Sequence, residues 1–252
     1  MEQRFIISLT TLPNRNTSLR ENLNSLLSQN YSNFEIHLNI PKKSPLNGEW
    51  DELNIPNDDK LKVFWVDDIG AITKLYYTLK RTTHRIITVD DDFIYHSEML
   101  NEYNNLTQVL PNEALGFAGI YPVGIEPSDN FDLNLIGCIP TDIYTKVGVL
   151  EGYKSICYNP IWFDEEFFTE WYNKHYNDDL IISSWLGYKN VDKCIVPYSS
   201  ETIFENRMLS FPLVVSLNNP PSGQHHFRQY DGGSSVSYKA FYNSEIGQYI
   251  KK

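Results

Sequence analysis

The sequence predicts an α/β fold with a mixed, mostly parallel sheet flanked by helices. In the first half of the chain, short apolar runs typical of buried strands alternate with segments whose apolar residues recur at helical spacing. Such alternation indicates parallel strands joined by helical crossovers. The chain has 252 residues, of which 41% are hydrophobic, enough for one large core. With no internal repeat and no linker, we predict a single domain over residues 1–252.

Local patterns identify the elements of the first half. The run RFIISLT is short and apolar, FEIHLNI alternates apolar and polar residues, and Leu19, Leu23 and Leu26 have the spacing of a helix face. Strands are predicted at 4–10, 34–40, 61–66 and 85–89, helices at 16–30, 71–81 and 97–109, and a last apolar run at 114–120.

The second half is less regular. Residues 121–160 contain Gly, Pro and short β-like runs, whereas helices are predicted at 163–175 and 178–188 and a strand at 191–198. The tail from residue 199 is rich in Ser, Asn, Pro and Gly, which favour turns and loops. We expect this tail to wrap the surface or to form a lid.

The composition excludes several classes of function. A net charge of −11 repels nucleic acid and anionic lipid, so we expect no nucleic-acid partner. No apolar run reaches the roughly 18 residues of a membrane-spanning helix, so we expect no integral membrane segment. The three cysteines are far apart and lack C-x-x-C spacing, which argues against a zinc site or disulfide framework. This cysteine usage suits a reducing, cytoplasmic setting.

Polar segments follow three of the predicted strands. TTLPNR comes after the first strand, DDIG after the third and DDD after the fourth. Ligands of open α/β sheets bind at the carboxyl ends of the strands, where such segments meet. We therefore expect these three segments to converge on one binding site.

The triplet Asp90–Asp91–Asp92 is the strongest chemical signal in the chain. On an extended backbone Asp90 and Asp92 share one face and Asp91 points the opposite way. Two such carboxylates suit Mg²⁺ or Mn²⁺, which take their remaining ligands from water and substrate phosphates. An EF-hand is excluded, because Tyr95 and Asn101 stand where its Gly and Glu are needed. The alternative is a solvated acidic turn that caps the next helix.

The ordered set IISLTTLPNR, DDIGAITKL, IITVDDD, LEGY and NDDLIISSWL resembles the GT-A-fold nucleotide-sugar glycosyltransferases. It is similar to the family-2-like enzymes of surface-polysaccharide and viral glycan assembly, over residues 4 to 190. The resemblance implies a GT-A (Rossmann-like) domain with a nucleotide-sugar-binding half at 1–120. It also implies an acceptor-binding half with a C-terminal tail at 121–252.

By this resemblance, the triplet is the DxD element that binds Mn²⁺ or Mg²⁺. Asp92 would bind the metal directly, Asp90 would bind the metal or the donor ribose, and Asp91 would lie near the donor sugar. Lys74 would reach the pyrophosphate, and Gly70 would let the backbone approach it. The alternative for Lys74 is a solvated helix lysine.

A nucleoside pocket is implied next to the metal site. Asp68, or less favourably Asp67, would accept the N3–H of uracil, although guanine offers a similar N1–H group. The same carboxylate could instead cap the following helix. Thr10, Thr11 and Arg15 resemble the loop that wraps the nucleoside. The family resemblance favours uridine, so the expected donor is a UDP-sugar.

The acceptor side is implied by two later motifs. Asp179 matches the general base of inverting GT-A enzymes, whereas Asp178 is left to capping the helix or binding the acceptor. Glu151 and Gly152, with Tyr153, resemble the loop that contacts the donor sugar and the acceptor. The alternative for both aspartates is an ordinary N-cap.

Two further groups are weaker candidates. His225 and His226 lie where many GT-A enzymes draw an extra metal ligand, although an inert polar loop would also account for them. Trp162, Trp171 and Trp185 could stack on sugar rings, but core packing is the expectation for at least two of the three.

These observations predict a metal-dependent, inverting glycosyltransferase that moves a sugar from a UDP-sugar to a hydroxyl of a glycan acceptor. Three alternatives remain open. One is a retaining transferase with the same donor site, and another is a GT-A carbohydrate- or nucleotide-binding protein without turnover. The third, a nucleotidyltransferase, would need a Gly-rich phosphate loop that TTLPNR lacks.

Overall fold

The computed structural model describes residues 2–43, 50, 52–122, 135–136, 144–174, 177–195 and 241–251. Within these ranges the chain forms ten strands: β1 (Phe5–Thr10), β2 (Phe34–Pro41), β3 (Leu61–Val66), β4 (Arg85–Thr88), β5 (Ala114–Gly116), β6 (Gly119–Pro122), β7 (Leu135–Ile136), β8 (Thr145–Leu150), β9 (Ile156–Tyr158) and β10 (Lys193–Ile195). The helices of this part are α1 (Asn16–Leu27), α2 (Thr73–Leu79), α3 (Met99–Val109) and α4 (Asp178–Tyr188).

The strands form one mixed sheet in the order β3-β2-β1-β4-β9-β5-β10-β8-β6-β7. The first four are parallel, because β1 pairs with β2 and β4 and β2 pairs with β3 in parallel register. β9 then runs antiparallel to both β4 and β5, and β8 runs antiparallel to β10 and β6. The predicted fold class is confirmed: the four strands β1 to β4 are all parallel, and β10 of the second half adds one further parallel pair with β5.

Apolar side chains cover both faces of the sheet in two clusters. One contains Phe5, Ile7 and Leu9 of β1 together with the buried leucines of α1. The other packs α2 and α4 against the opposite face and includes Trp171 and Trp185, which are 5% and 0% exposed. Core packing is therefore the role of these two tryptophans.

Several predicted boundaries were wrong, for local reasons. α2 covers Thr73–Leu79 instead of 71–81, because the preceding residues form a turn in which the Gly70 N–H donates to Asp68 over 2.9 Å. The run at 114–120 is divided into β5 and β6, separated by Phe117 and Ala118.

The segment 163–175 has no long helix in its described residues. It forms a short π-helical turn at Phe167–Trp171. The ring centroids of Phe167 and Trp171 lie 5.4 and 5.3 Å from that of Trp185. The wider turn lets both rings reach the same core position.

None of the helices within the described ranges has both the length and the apolar character that crossing a bilayer requires.

Candidate active site

A cleft of about 380 Å³ lies at the edge of the sheet where the parallel strands β1 and β4 end. The three polar segments of the first half meet there, and the start of α4 joins them from the second half. The predicted site residues that line it are Thr10, Thr11, Arg15, Asp68, Lys74, Asp90, Asp91, Glu151, Asp178 and Asp179. His225 and His226 lie outside the described residues.

The triplet does not continue the extended backbone of β4. The strand ends at Thr88, and Asp91 and Asp92 lie in a turn. The expected alternation of side chains is therefore wrong: Asp90 and Asp91 line the cleft, whereas Asp92 does not. A turn rotates successive side chains by amounts that the two-residue period of a strand does not describe.

Arg15 neutralises the inner part of the triplet. Its guanidinium donates to Asp91 Oδ1 and lies 3.3 Å from Asp92 Oδ2. Burial alone lowers the pKa of Arg15, but Asp91, Asp92 and Asp90 together raise it above its ordinary value. Burial raises the pKa of Asp92 to about 6, with Arg15 opposing the shift. Burial likewise raises the pKa of Asp91, again against Arg15.

Lys74 is a buried cation between two groups of carboxylates. Its Nζ lies 2.6 Å from Asp90 Oδ1 and 3.4 Å from Asp178 Oδ2. Burial lowers the pKa of Lys74, but the charges of Asp90, Asp178 and Asp179 outweigh it and hold this pKa well above its ordinary value. At 6% exposure, Lys74 is not the solvated helix lysine that the sequence left open.

The start of α4 presents two carboxylates that do not cap the helix. The capping group is Asn177, whose side chain accepts from the Asp179 N–H over 2.8 Å. Asp178 is 8% exposed, and its Oδ2 has no hydrogen-bond partner among the described residues. Asp179 Oδ1 accepts from the Gly152 N–H over 3.1 Å. Capping is therefore excluded as the task of Asp178 and Asp179.

The Glu151–Gly152 loop sits close to this carboxylate pair. A Cβ on Gly152 would lie 2.9 Å from Asp179 Oδ1 and 3.3 Å from Lys74 Nζ, so a side chain there would displace them. Burial and the charge of Asp178 raise the pKa of Asp179 well above its ordinary value, Lys74 lowers it, and Glu151 raises it further. A carboxyl with a raised pKa is a stronger proton acceptor once ionised.

The residues after β1 and β3 line the other side of the cleft. Thr10 donates to the Asn39 carbonyl over 2.8 Å, and Thr11 is almost fully buried. Asp68 lines the cleft, whereas the side chain of Asp67 is 80% exposed and lies 3.3 Å from Lys42. Gly70 adopts φ 84°, a left-handed conformation that favours glycine.

Two residues that support the site were not recognised in the sequence. Asn22 is buried on the apolar face of α1 and donates to the carbonyls of Asp90 and Phe93 over 2.9 and 2.7 Å. Tyr95 accepts from the Asp90 N–H over 2.8 Å. A signal was present in the sequence for Asn22, because it falls on the stripe of Leu19, Leu23 and Leu26 where a polar residue needs a partner.

The charge of the cleft fits a cation. Six carboxylates and two basic side chains line it. Asp91 Oδ2 is also buried without a hydrogen-bond partner in the described part of the chain. No cluster of three or more His, Cys, Asp or Glu side chains within those residues is arranged to hold a metal by itself. The excess of carboxylates is therefore the feature that suits an ion of the Mg²⁺ type, which takes one or two carboxylates and completes its shell with phosphates.

No protein-family model matches the chain, and no curated protein matches it by sequence. Solved structures do resemble it. The fragment 1–349 of S. aureus TarS in complex with UDP-GlcNAc aligns with a TM-score of 0.50 and 13% identity over 78% of this chain and 56% of TarS 1–349. The same fragment with UDP gives a TM-score of 0.47 and 14% identity over 78% of this chain and 58% of that one.

A mannosyltransferase, PcManGT from Pyrobaculum calidifontis, in complex with GDP-Man and Mn²⁺, aligns with a TM-score of 0.47 and 12% identity. The match covers 82% of this chain and 61% of the mannosyltransferase. This chain therefore matches only about three fifths of the length of these proteins. The TarS complex with UDP-GlcNAc supports the predicted GT-A-like fold, and at 13% identity it establishes the fold alone.

Proposed function

We propose that this protein is a glycosyltransferase that uses a divalent metal to transfer a sugar from a nucleotide diphosphate donor, UDP-linked, to a hydroxyl of a glycan acceptor. The observation that carries the proposal is the convergence of carboxylates from three segments on one cleft. Asp68 follows β3, Asp90 and Asp91 follow β4, and Asp179 is the second residue of α4. Sugar transfer needs these parts together: a place for the diphosphate and its metal, and a base beside them.

The donor would occupy the side of the cleft formed by the first half of the chain. Thr10, Thr11 and Arg15 are the proposed nucleoside loop, and all three line the cleft. Asp68 is the proposed acceptor for the imino N–H of the base, which cytosine lacks. A structure with a similar fold, S. aureus TarS, is in complex with UDP-GlcNAc, which supports the proposal of a uridine donor.

Mn²⁺ or Mg²⁺ would be held by Asp90. Asp92, which the resemblance implied as the direct ligand, does not line the cleft and lies 3.3 Å from Arg15, so it is proposed only as a neighbour of the ion. When bound, this ion would stabilise the negative charge that grows on the leaving diphosphate. The excess of carboxylates over basic side chains in the cleft supports such a role. Lys74 and Arg15 are placed to orient the triplet by their ion pairs with Asp90 and Asp91.

Asp179 is the proposed general base. It would take the proton of the acceptor hydroxyl while that oxygen attacks the anomeric carbon, and the nucleoside diphosphate would leave from the opposite face. The Gly152 N–H holds one of its carboxylate oxygens. Asp178 would face Lys74, and Glu151, which lines the cleft, would stand between donor sugar and acceptor, with Gly152 behind it at Asp179.

Donor binding tests the first half of the proposal. Calorimetric titration with UDP and Mn²⁺ is expected to give saturable binding that Asp90→Asn weakens at least about tenfold, because a metal ligand is lost. Asp67→Asn is the matched control, since this neighbouring aspartate is exposed and outside the cleft. Equal loss in both variants, or metal-independent binding, would contradict the donor site.

Turnover tests the second half. Asp179→Asn is expected to abolish transfer and hydrolysis of the UDP-sugar while UDP binding stays within about twofold of the unchanged protein, since a base acts on chemistry and not on donor affinity. Retained turnover would remove Asp179 from this role. The anomeric configuration of the product, read by NMR, separates inversion from retention.

A further inference from the structure

A second cleft, of about 530 Å³, lies at the opposite end of the parallel strands. β1 runs from one cleft to the other: Arg4, just before the strand, lines the second cleft, and Thr10 at its end lines the first. A strand of this length spans about 20 Å, so the two clefts are separate sites.

The second cleft exists because α2 is short. This helix covers one face of the sheet for seven residues and ends at Leu79. Beyond its end, Ile6 of β1 and Glu35 and His37 of β2 are left uncovered by α2 and line the opening. The connection from residue 80 to residue 84 forms its rim.

Basic side chains dominate this cleft, although the whole chain carries a net charge of −11. Arg4, Lys80 and Arg81 line it together with one carboxylate, Glu35. The ammonium of Lys80 donates to Tyr76 Oη over 2.7 Å, so this residue lines the cleft with its methylene chain and not with its charge. Arg4 Nη2 lies 3.3 Å from Glu35 Oε2, so this carboxylate offsets part of its charge. The guanidinium of Arg81 forms no ion pair within the described residues and is the main charge available to a ligand.

Arg81 is held in place, and most of its N–H donors have no partner within the part of the chain that the structure describes. Its guanidinium stacks 4.0 Å over the Phe64 ring, and Nη1 donates to Asn39 Oδ1 over 2.7 Å. A guanidinium has five N–H donors, and a stacked one presents its edge in a fixed orientation. Such an edge suits an oxyanion, which it can bind through two parallel hydrogen bonds.

His37 adds a second, independent observation. The residue is 4% exposed, and its Nε2 lies 2.8 Å from Glu35 Oε1. Its Nδ1 is buried and has no hydrogen-bond partner among the residues described. Burial lowers the pKa of His37, which favours the neutral ring, and the contact with the Glu35 carboxylate places its proton on Nε2. Nδ1 is then an acceptor that lacks a donor.

We propose that this cleft is an oxyanion site for the monoanion of phosphate or of a phosphate monoester. This ion carries anionic oxygens for the guanidinium groups of Arg81 and Arg4, together with an O–H that Nδ1 of His37 can accept. Sulfate has the same shape and charged oxygens but no O–H at neutral pH. Phosphate is therefore expected to bind more tightly than sulfate.

Calorimetric titration of the full chain with inorganic phosphate, at about pH 6 where the monoanion is abundant, tests the site. Ionic strength is fixed with NaCl. Arg81→Gln is expected to weaken phosphate binding by about tenfold or more, since a charge-assisted pair is lost. Arg20→Gln, an equal loss of charge on α1, should change it by less than about twofold. Arg4→Gln replaces Arg81→Gln if the latter does not fold, as judged by circular dichroism.

Arg15→Gln separates this cleft from the candidate active site. Loss of phosphate binding in Arg15→Gln but not in Arg81→Gln would move the anion to the first cleft and overturn the proposal, as would sulfate binding as tightly as phosphate. Glucose 1-phosphate in a parallel titration identifies the source: tighter binding of the ester indicates a phosphorylated substrate, and tighter binding of phosphate indicates the free ion. The proposed sugar transfer does not depend on either result.

Discussion

The ammonium of Lys74 lies 2.6 Å from Asp90. This contact joins α2 to the segment after β4. Because Asp178 is 3.4 Å from the same Nζ, Lys74 also connects the triplet to the start of α4. One buried cation thus couples the proposed metal side of the cleft to its proposed base side.

Replacing Lys74 with Met should destabilise the fold. The variant leaves Asp178 and Asp90 without their buried cation, and breaking such a pair costs about 3–5 kcal/mol in the free energy of unfolding. Urea denaturation measures this change. Lys42→Met is the matched control, because the Lys42–Asp67 pair is exposed and contributes less than about 1 kcal/mol. Similar losses in both variants would show that Lys74 is not a structural cation.

Gly152→Ala should impair turnover more than stability. The new Cβ would stand 2.9 Å from Asp179 Oδ1, so this carboxylate must move. Misplacing a reacting group by about 1 Å can lower kcat by up to about 100-fold. Steady-state kinetics with a UDP-sugar measures it, and UDP affinity should be unchanged. Unaltered kcat would show that the position of Asp179 is not critical for the reaction.

Asn22→Ala should loosen the triplet. The side-chain amide of Asn22 donates hydrogen bonds to the carbonyls of Asp90 and Phe93. Without it these two acceptors lose their partner, which should lower the free energy of unfolding by about 1–3 kcal/mol. Thermal unfolding measures it, with Asn24→Ala on the exposed side of α1 as the control. Equal melting temperatures for the two variants would contradict this support.

Lys193→Met should stabilise the protein at neutral pH. Lys193 is 1% exposed, its Nζ has no hydrogen-bond partner within the described residues, and burial lowers its pKa to about 8. Between about pH 8 and its ordinary pKa near 10.5, the unfolded chain binds more protons at this group than the folded chain. The group therefore adds stability as pH rises through this window.

The free energy of unfolding of Lys193→Met should accordingly exceed that of the unchanged protein by up to roughly 3 kcal/mol at pH 7, and this difference should shrink toward pH 10.5. Denaturation at several pH values measures the difference from the unchanged protein. Lys146→Met is the control, because Lys146 forms an exposed ion pair with Asp192. This variant should change the free energy of unfolding by less than about 1 kcal/mol at every pH. A pH-independent difference for Lys193→Met would indicate a packing effect instead.

Local sequence patterns predicted several elements, most of them in the first half of the chain. The strand at 61–66 and the helix at 178–188 agree with the structure at both ends, because each combines a strong period with clear boundary residues. The strand predicted at 191–198 contains β10, whereas the short strands within 121–160 were not predicted individually. β7 and β9 have two and three residues, too few to show a period, and they form because the neighbouring strands pair with them.

The sequence by itself determined the alternation of strands and helices and the placing of carboxylates after β3 and β4, since parallel strands bring those ends to one edge. Only the tertiary structure decided which cation each carboxylate meets. Lys74 and Asp178 are distant in sequence, and no local period relates them. The turn after Thr88 likewise directs Asp91 into the cleft instead of Asp92. Local periodicity depends on the backbone of one segment, whereas a buried ion pair depends on how separate segments pack.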